Sequence, residues 1–388
     1  MMQSVALGWL VYSVARLTHD EKASMFLVGM IGLAQFLPMF CLVLYAGAIV
    51  DRYDRRKILF YCILLQIFCA AAFTYEASQP HISLTFIFLI AGLYGAGRSF
   101  MMPSSAALVP LLVPRKELPR AIAYNTLNVQ AGMILGPWFG GILCGISPAL
   151  ANATSLALYV LGGFAAAFLL KMPVDTRPRV VASSSQIKMI REGLAHLWDS
   201  KIVLGAISLD LFAVFLGGVT ALLPAYARDV LHTGPEGFGH LRSAFAFGAA
   251  ATTAFLAVWP VTRHAGLWML GGVTIYGIAT VCFALSTQEA LSMLALAIAG
   301  AGDAISVFMR HNLVQLLTPD HMRGRVSAVS SLFISATNEL GEFESGVAAR
   351  VMGVVGAAVF GGLGSVFVTG LWARIFPALR KADHLVRE

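Results

Sequence analysis

The sequence predicts an all-α, polytopic membrane protein of twelve spans arranged as two blocks of six, and three observations carry that expectation. First, the chain is 58% hydrophobic and only 12% charged over 388 residues, against roughly 25% charged in an ordinary soluble domain. It cannot clothe itself in polar groups in water. Second, apolar runs of about 20 residues, the length a helix needs to cross a bilayer, recur from one end to the other. Third, displacing the chain by 205 positions lays LVPLLVPRKELPRAIAYNTL over LVQLLTPDHMRGRVSAVSSL. Gly97, Leu108, Leu112, Pro114, Arg120, Gly136 and Gly141 are among the residues that then meet their own type, as a duplicated bundle predicts.

The elements follow in order. The opening MMQSVALGWLVYSVA is apolar but short for a span, and it lacks the basic start and cleavage pattern of a signal peptide. It is expected to be a first helix whose initial part is truncated. Residues 24 to 50, 58 to 77, 82 to 102, 121 to 143 and 148 to 170 supply five more spans. The second half supplies 202 to 226, 238 to 260, 267 to 286, 289 to 312, 326 to 349 and 351 to 373. The expected organisation is an N-terminal six-helix bundle over 1–171, a linker over 172–200 and a C-terminal bundle over 201–388. Within the linker, Ile187, Ile190, Leu194 and Leu197 repeat at helical spacing beside Lys188 and Arg191. That pattern suits a short amphipathic helix on the cytoplasmic membrane face, or a solvated linker helix.

Charge sets the topology. If the spans alternate, 20 of the 27 Lys and Arg fall on the side that holds DRYDRRK, residues 51–57, and both termini. The positive-inside rule makes that side cytoplasmic. The net charge of +7 is therefore a matter of orientation, and no nucleic-acid partner is expected. Cys41, Cys62, Cys69, Cys144 and Cys282 lie in apolar spans without a CxxC pair, which favours buried packing over metal or disulfide use. There is no phosphate-binding GxxxxGK[ST] loop and no HExxH or similar cluster, so no cofactor, no metal and no catalytic residues are expected.

Two motifs stand out. Gly47-Ala48-Ile49-Val50-Asp51-Arg52-Tyr53-Asp54-Arg55-Arg56-Lys57 packs charge onto one turn. Its cations sit at the C-terminal end of a helix, where the dipole favours them, whereas Asp51 is repelled there and wants another partner such as Arg55. In Gly132-Met133-Ile134-Leu135-Gly136-Pro137-Trp138-Phe139-Gly140-Gly141, the glycines at 132, 136 and 140 share a helix face that permits close approach to another helix. Pro137 frees the carbonyl of Met133 and allows a bend. Together with LDLFAVFLGG, LVQLLTPDHMRGRVSAV and NELGEFESG, these stretches resemble the major facilitator superfamily, in the branch containing the enterobactin exporter and related drug-efflux proteins. The resemblance covers essentially the whole chain. Asp54 departs from it, standing where the family usually has Gly.

The resemblance implies the twelve-helix major facilitator fold and alternating access without ATP. It places Asp51, with Arg55 and Arg56, in a cytoplasmic latch between the halves, and it makes the Gly132, Gly136, Pro137, Gly140 and Gly141 stretch an antiporter motif of exporters.

Ionisable groups at membrane depth are functional candidates because insertion costs them at least about 2.5–3.5 kcal/mol each. Ser335, Asn338, Glu339 and Glu342 fall on one stripe of a helix, with Glu339 about 20 Å from its start. An acid that is costly to keep ionised can exchange a proton as its cavity opens to either side. Asp210, Glu339 and Glu342, with Asn338, are candidates for proton coupling or for lining the cavity. Arg98 and Asp303 are equivalent in the two halves and opposite in charge, so they form a candidate inter-bundle pair, with Arg310 as a competing partner for Asp303. Among the neutral polar residues in or near spans, Gln3, Gln35, Gln66, Asn125, Asn128 and Gln130 are divided between the cavity and helix contacts.

The expected activity is proton-driven antiport of a siderophore, drug or similar amphipathic compound by a monomer in the bacterial inner membrane, its partners being substrate, protons and lipid. Alternatives are proton-coupled nutrient uptake, lipid scrambling and a membrane-bound enzyme.

Overall fold

The computed structural model describes residues 1–114, 116–171, 186–261, 263–319 and 322–381, and among them it is helical with no strand. The first half holds α1 (Met2–Thr18), α2 (Glu21–Arg52), α3 (Arg55–Ala77), α4 (Leu84–Leu112), α5 (Leu118–Ile146) and α6 (Pro148–Lys171). Then come α7 (Gln186–Asp199), α8 (Lys201–Leu216) and α9 (Val219–Ala225), the last running into a π-helical turn at Tyr226–Val230. The order finishes with α10 (Gly234–Val258), α11 (Ala265–Leu285), α12 (Glu289–Leu317), α13 (Arg323–Ile375) and the short α14 (Pro377–Arg380).

Among the described residues ten stretches are long and apolar enough to cross a membrane. One of them is the 53-residue α13, which changes direction at Gly353, φ 77° and ψ 168°, a conformation that is essentially glycine's alone. Its two limbs are the spans expected at 326–349 and 351–373. Counting both limbs and the shorter α1 gives twelve segments in the expected order.

The helix ends follow from local chemistry. Asp20 caps α2 by accepting the Ala23 N–H at 2.9 Å. Asp54, the residue that departs from the family pattern, caps α3 through the Arg56 N–H at 2.9 Å and pairs with the Arg56 guanidinium at 2.9 Å. A cap satisfies an N–H that glycine would leave open. The expected span at 202–226 is broken after Leu216 by Gly217 and Gly218, and the Tyr276 hydroxyl of α11 donates to the carbonyl that the break frees on Gly217.

Packing joins α2 to α4, and α3 to α4 and α6; in the second half α12 packs on α10 and α11, and α13 on α8 and α11. The two sets meet along α2 with α13 and along α5 with α10. Small residues make these seams. A Cβ on Gly29 would lie 2.9 Å from the Gly346 Cα, and one on Gly141 would lie 2.8 Å from the Gly239 Cα, closer than side chains permit.

Helix α7 has a docked side as well as an exposed one. It docks on α13, with Leu197 buried among Val203, Ile207, Val314, Val326 and Val329 and Glu192 paired with Arg325 at 2.8 Å; its Ile187 and Ile190 side chains lie outside the described residues. Of the cysteines, Cys62, Cys69 and Cys144 are buried as expected, but Cys41 and Cys282 are exposed, which in an apolar span means toward lipid or the cavity.

Candidate functional site

Arg98 is placed by a close helix crossing. A Cβ on Gly95 would collide with the Gln35 backbone, so α4 lies directly against α2, and Arg98, one turn further along α4, reaches the Gln35 Oε1 at 3.2 Å. The same guanidinium nitrogen donates to Glu339 Oε1 of α13 at 2.8 Å. Glu339 is held there because Gly32 of α2 leaves room for it: a Cβ at that position would meet the Glu339 carbonyl oxygen at 2.8 Å and the Glu342 Cβ at 3.0 Å. Arg242 of α10 feels the charges of Glu342 and Glu339. Two arginines thus surround two glutamates at the seam, Arg98 reaching across from the first half and Arg242 from the glutamates' own half. Arg98 lies about 21 Å along α4 at 1.5 Å per residue, near its middle.

The expected bridge between Arg98 and Asp303 does not form. Arg98 does reach across the halves, but to Glu339, because the glycine crossings point it at α13. Asp303 lies instead within the second half, beside Asp210 and Arg310, and Arg310 Nη1 is 3.2 Å from Asp210 Oδ2. Asp210 and Glu342 therefore belong to two different clusters. Asn338 shares the α13 stripe with Glu339 but is exposed, and the Ser335 side chain lies outside the described residues. Sequence reasoning did not assign Arg242 a role, although two acids one turn apart on α13 call for two cations, and only three arginines lie inside spans.

The seam is sealed at one end and open at the other. At the sealed end the Tyr12 hydroxyl and Arg16 both meet Asp229, the latter at 3.5 Å. Arg350 lies 4.8 Å from the Phe26 ring centre, and Lys22 donates to the Val351 carbonyl. At the other end residues 122–129 of α5 are all exposed. The glycine motif faces two partners. A Cβ on Gly132 would meet nothing within 4 Å, whereas Gly136 and Gly140 abut Met1 and Met2, and Gly141 abuts Pro235 and Gly239. The Pro137 carbonyl itself lies against Gly239. The close approach expected of Gly132 is absent: the face it shares with Gly136 and Gly140 is the one that meets Met1 and Met2 of α1, and the tightest contact with α10 falls on Gly141, just off the 132–136–140 register.

Arg55 and Arg56 begin α3, but the Asp51 side chain lies outside the described residues, so the latch expectation rests on the sequence. Trp138 lines an apolar cleft of about 450 Å³ between α5, α10 and α12, while the Phe212 ring lies tilted against Trp372, their centroids 5.1 Å apart. Among the described residues no cluster of metal-ligating side chains occurs.

Comparison with known proteins follows this geometry. The family described as "Transmembrane secretion effector" matches residues 1–386. The enterobactin exporter EntS of Shigella boydii serotype 4 is 27% identical over 369 residues, covering 93% of this chain and 82% of that protein. The enterobactin exporter EntS of Escherichia coli O81 is 27% identical over 335 residues, 84% of this chain and 74% of that one. Among solved structures, a D-xylose-proton symporter superposes with a TM-score of 0.72 at 14% identity, covering 98% of each chain. A POT family transporter in complex with 5-aminolevulinic acid superposes at 0.71 and 11% identity, covering 97% of this chain and 96% of that one. At such identities these structures speak for the fold.

Proposed function

Since this chain belongs to the transmembrane secretion effector family of the major facilitator superfamily, and is a transporter rather than an enzyme, we propose that it is a proton-driven exporter of a siderophore, drug or similar amphipathic compound. The observation that carries this reading is the balanced Arg98, Arg242, Glu339 and Glu342 cluster, held between the halves below a sealed end and above an open one. Ionised and paired, the cluster is electrically satisfied. When Glu339 or Glu342 takes up a proton, the balance breaks and an arginine is released. A proton arriving from one side and a cargo arriving from the other then compete for the same site, which is the requirement for exchange.

In this reading the open end, which carries Arg52, Arg55, Arg56 and Lys57, faces the cytoplasm of a bacterial inner-membrane protein. Residues 1–171 and 201–388 form the two bundles that rock about the α2–α13 and α5–α10 seams. Glu339 and Glu342 are the acids assigned to the proton, with Asp210 serving the coupling through its pair with Arg310; Asp51 with Arg55 and Arg56 is assigned to the latch, and Gly132, Gly136, Pro137, Gly140 and Gly141 to the flexing seam. The relatives' name makes enterobactin the first cargo to try.

Cells that lack their own exporters, with and without this chain, provide the test. Expression should lower the cellular content of enterobactin or of at least one compound in a panel of amphipathic drugs, and Glu339→Gln should abolish that effect at equal protein level. Unchanged content across the panel, or accumulation instead of loss, contradicts export.

A further inference from the structure

Apart from the seam, the second half contains a small chamber within its helix packing. It holds about 10 Å³ and is lined by Asp210, Ala213 and Val214 of α8, Val273 and Tyr276 of α11, and Asp303 and Ser306 of α12. That volume suits a single water. Two acids line it, and one base stands beside them. Arg310 is buried and spends its charge on Asp210 at 3.2 Å. Asp303 lies seven residues before Arg310, about 10.5 Å along the helix, and has no counter-ion in contact among the described residues. Ser306, one turn from Asp303 on the same face, is only 2% exposed, and its hydroxyl has no hydrogen-bond partner among the described residues. The Tyr276 hydroxyl is already committed to the Gly217 carbonyl.

We propose that this chamber is a proton site, in which Asp303 binds one proton and a single water bridges its carboxyl group to the Ser306 hydroxyl. An unpaired carboxylate shut away from solvent is strongly disfavoured, so it must acquire a cation. The proton comes from bulk water, forms an O–H bond on Asp303 and leaves by the same bond breaking, so no other reactant is needed. A bare alkali ion would need more oxygens than Asp303, Ser306 and the uncommitted oxygen of Asp210 provide. The charges acting on Asp303 are Asp210 from α8 and Arg310 from its own helix, with the Tyr276 phenol facing it from α11. Helix α13, packed behind α8 and α11, contributes to this neighbourhood the neutral Ser365 hydroxyl, which donates to Ala213. The site deepens the exporter reading and rests on it only for its use in coupling, where it would hold a proton within one half while cargo occupies the seam.

Infrared spectroscopy of the purified full chain in lipid nanodiscs tests the site without any transport assay, so its failure and that of the exporter reading are separable. At neutral pH the protein should show a protonated carboxylic acid band that Asp303→Asn removes. Asp210→Asn should remove it too, because Arg310 then balances Asp303 and the proton is no longer required. Ser306→Ala, which changes no charge, should shift the band without removing it. A spectrum in which none of these substitutions alters the acid band overturns the proposal. So does a band that disappears when sodium chloride replaces choline chloride, since the chamber would then hold sodium.

Discussion

At the residue scale the account turns on Arg98 and Glu339. Breaking a fully buried ion pair by removing one partner costs about 3–5 kcal/mol, because the other charge is left uncompensated. The Arg98 side chain is 34% exposed and that of Glu339 10%, so solvent reduces this figure, and Arg98→Gln should cost less than about 3 kcal/mol. Thermal unfolding in detergent checks it. Arg98→Glu combined with Glu339→Arg restores the attraction and should recover most of the stability that Arg98→Glu alone loses; a double variant no more stable than the single one would show that the contact is incidental. The sequence marked both residues as costly at membrane depth, yet it paired Arg98 with Asp303 through the internal repeat. Equivalence in a duplicated chain says that two positions occupy corresponding places in their own halves. It does not bring them together, and the glycines at 95 and 32 that actually aim the pair act through three-dimensional contact.

At the element scale, two glycines make opposite demands. Gly353 turns α13 with a φ of 77°, so Gly353→Ala forces a side chain into a glycine-only region and should cost about 1–3 kcal/mol. Gly162 has nothing within 4 Å of a prospective Cβ and sits in a helix, where alanine is favoured by about 0.5–1 kcal/mol. Comparing the melting temperatures of the two alanine variants should therefore give shifts of opposite sign. Gly141 is different again, because its Cβ would strike Gly239 in a contact made only while that end is sealed. Gly141→Val should therefore wedge α5 from α10, and a cysteine placed at the sealed end should become more reactive to a water-soluble thiol reagent. Unchanged reactivity would mean that the seam does not govern access. Helix positions were readable from apolar run length because the bilayer fixes that length. The break at Gly217–Gly218 was not, since the apolar run continues through it; nor was the docking of α7, because the same apolar stripe serves membrane surface and protein equally well.

At the scale of the whole molecule, the fold was legible because composition, span spacing and the repeat each reflect a constraint of the lipid phase, and the family match and the solved structures agree with them. The asymmetry of the seam was not legible. Both ends of α5 and α10 carry small residues, and only the spatial arrangement shows that Gly141 meets Gly239 at one end while residues 122–129 of α5 are exposed at the other. That asymmetry, with an ion-paired cluster at mid-depth, is what alternation between two openings requires. The most direct measurement of the central claim uses inside-out membrane vesicles containing the full chain, an imposed acid-inside gradient, enterobactin as cargo and an external pH indicator. The account predicts that cargo enters as protons leave, that an uncoupler stops both, and that Glu339→Gln stops both while the protein remains inserted. Cargo moving in the same direction as the protons, or entering equally well without a gradient, would contradict it.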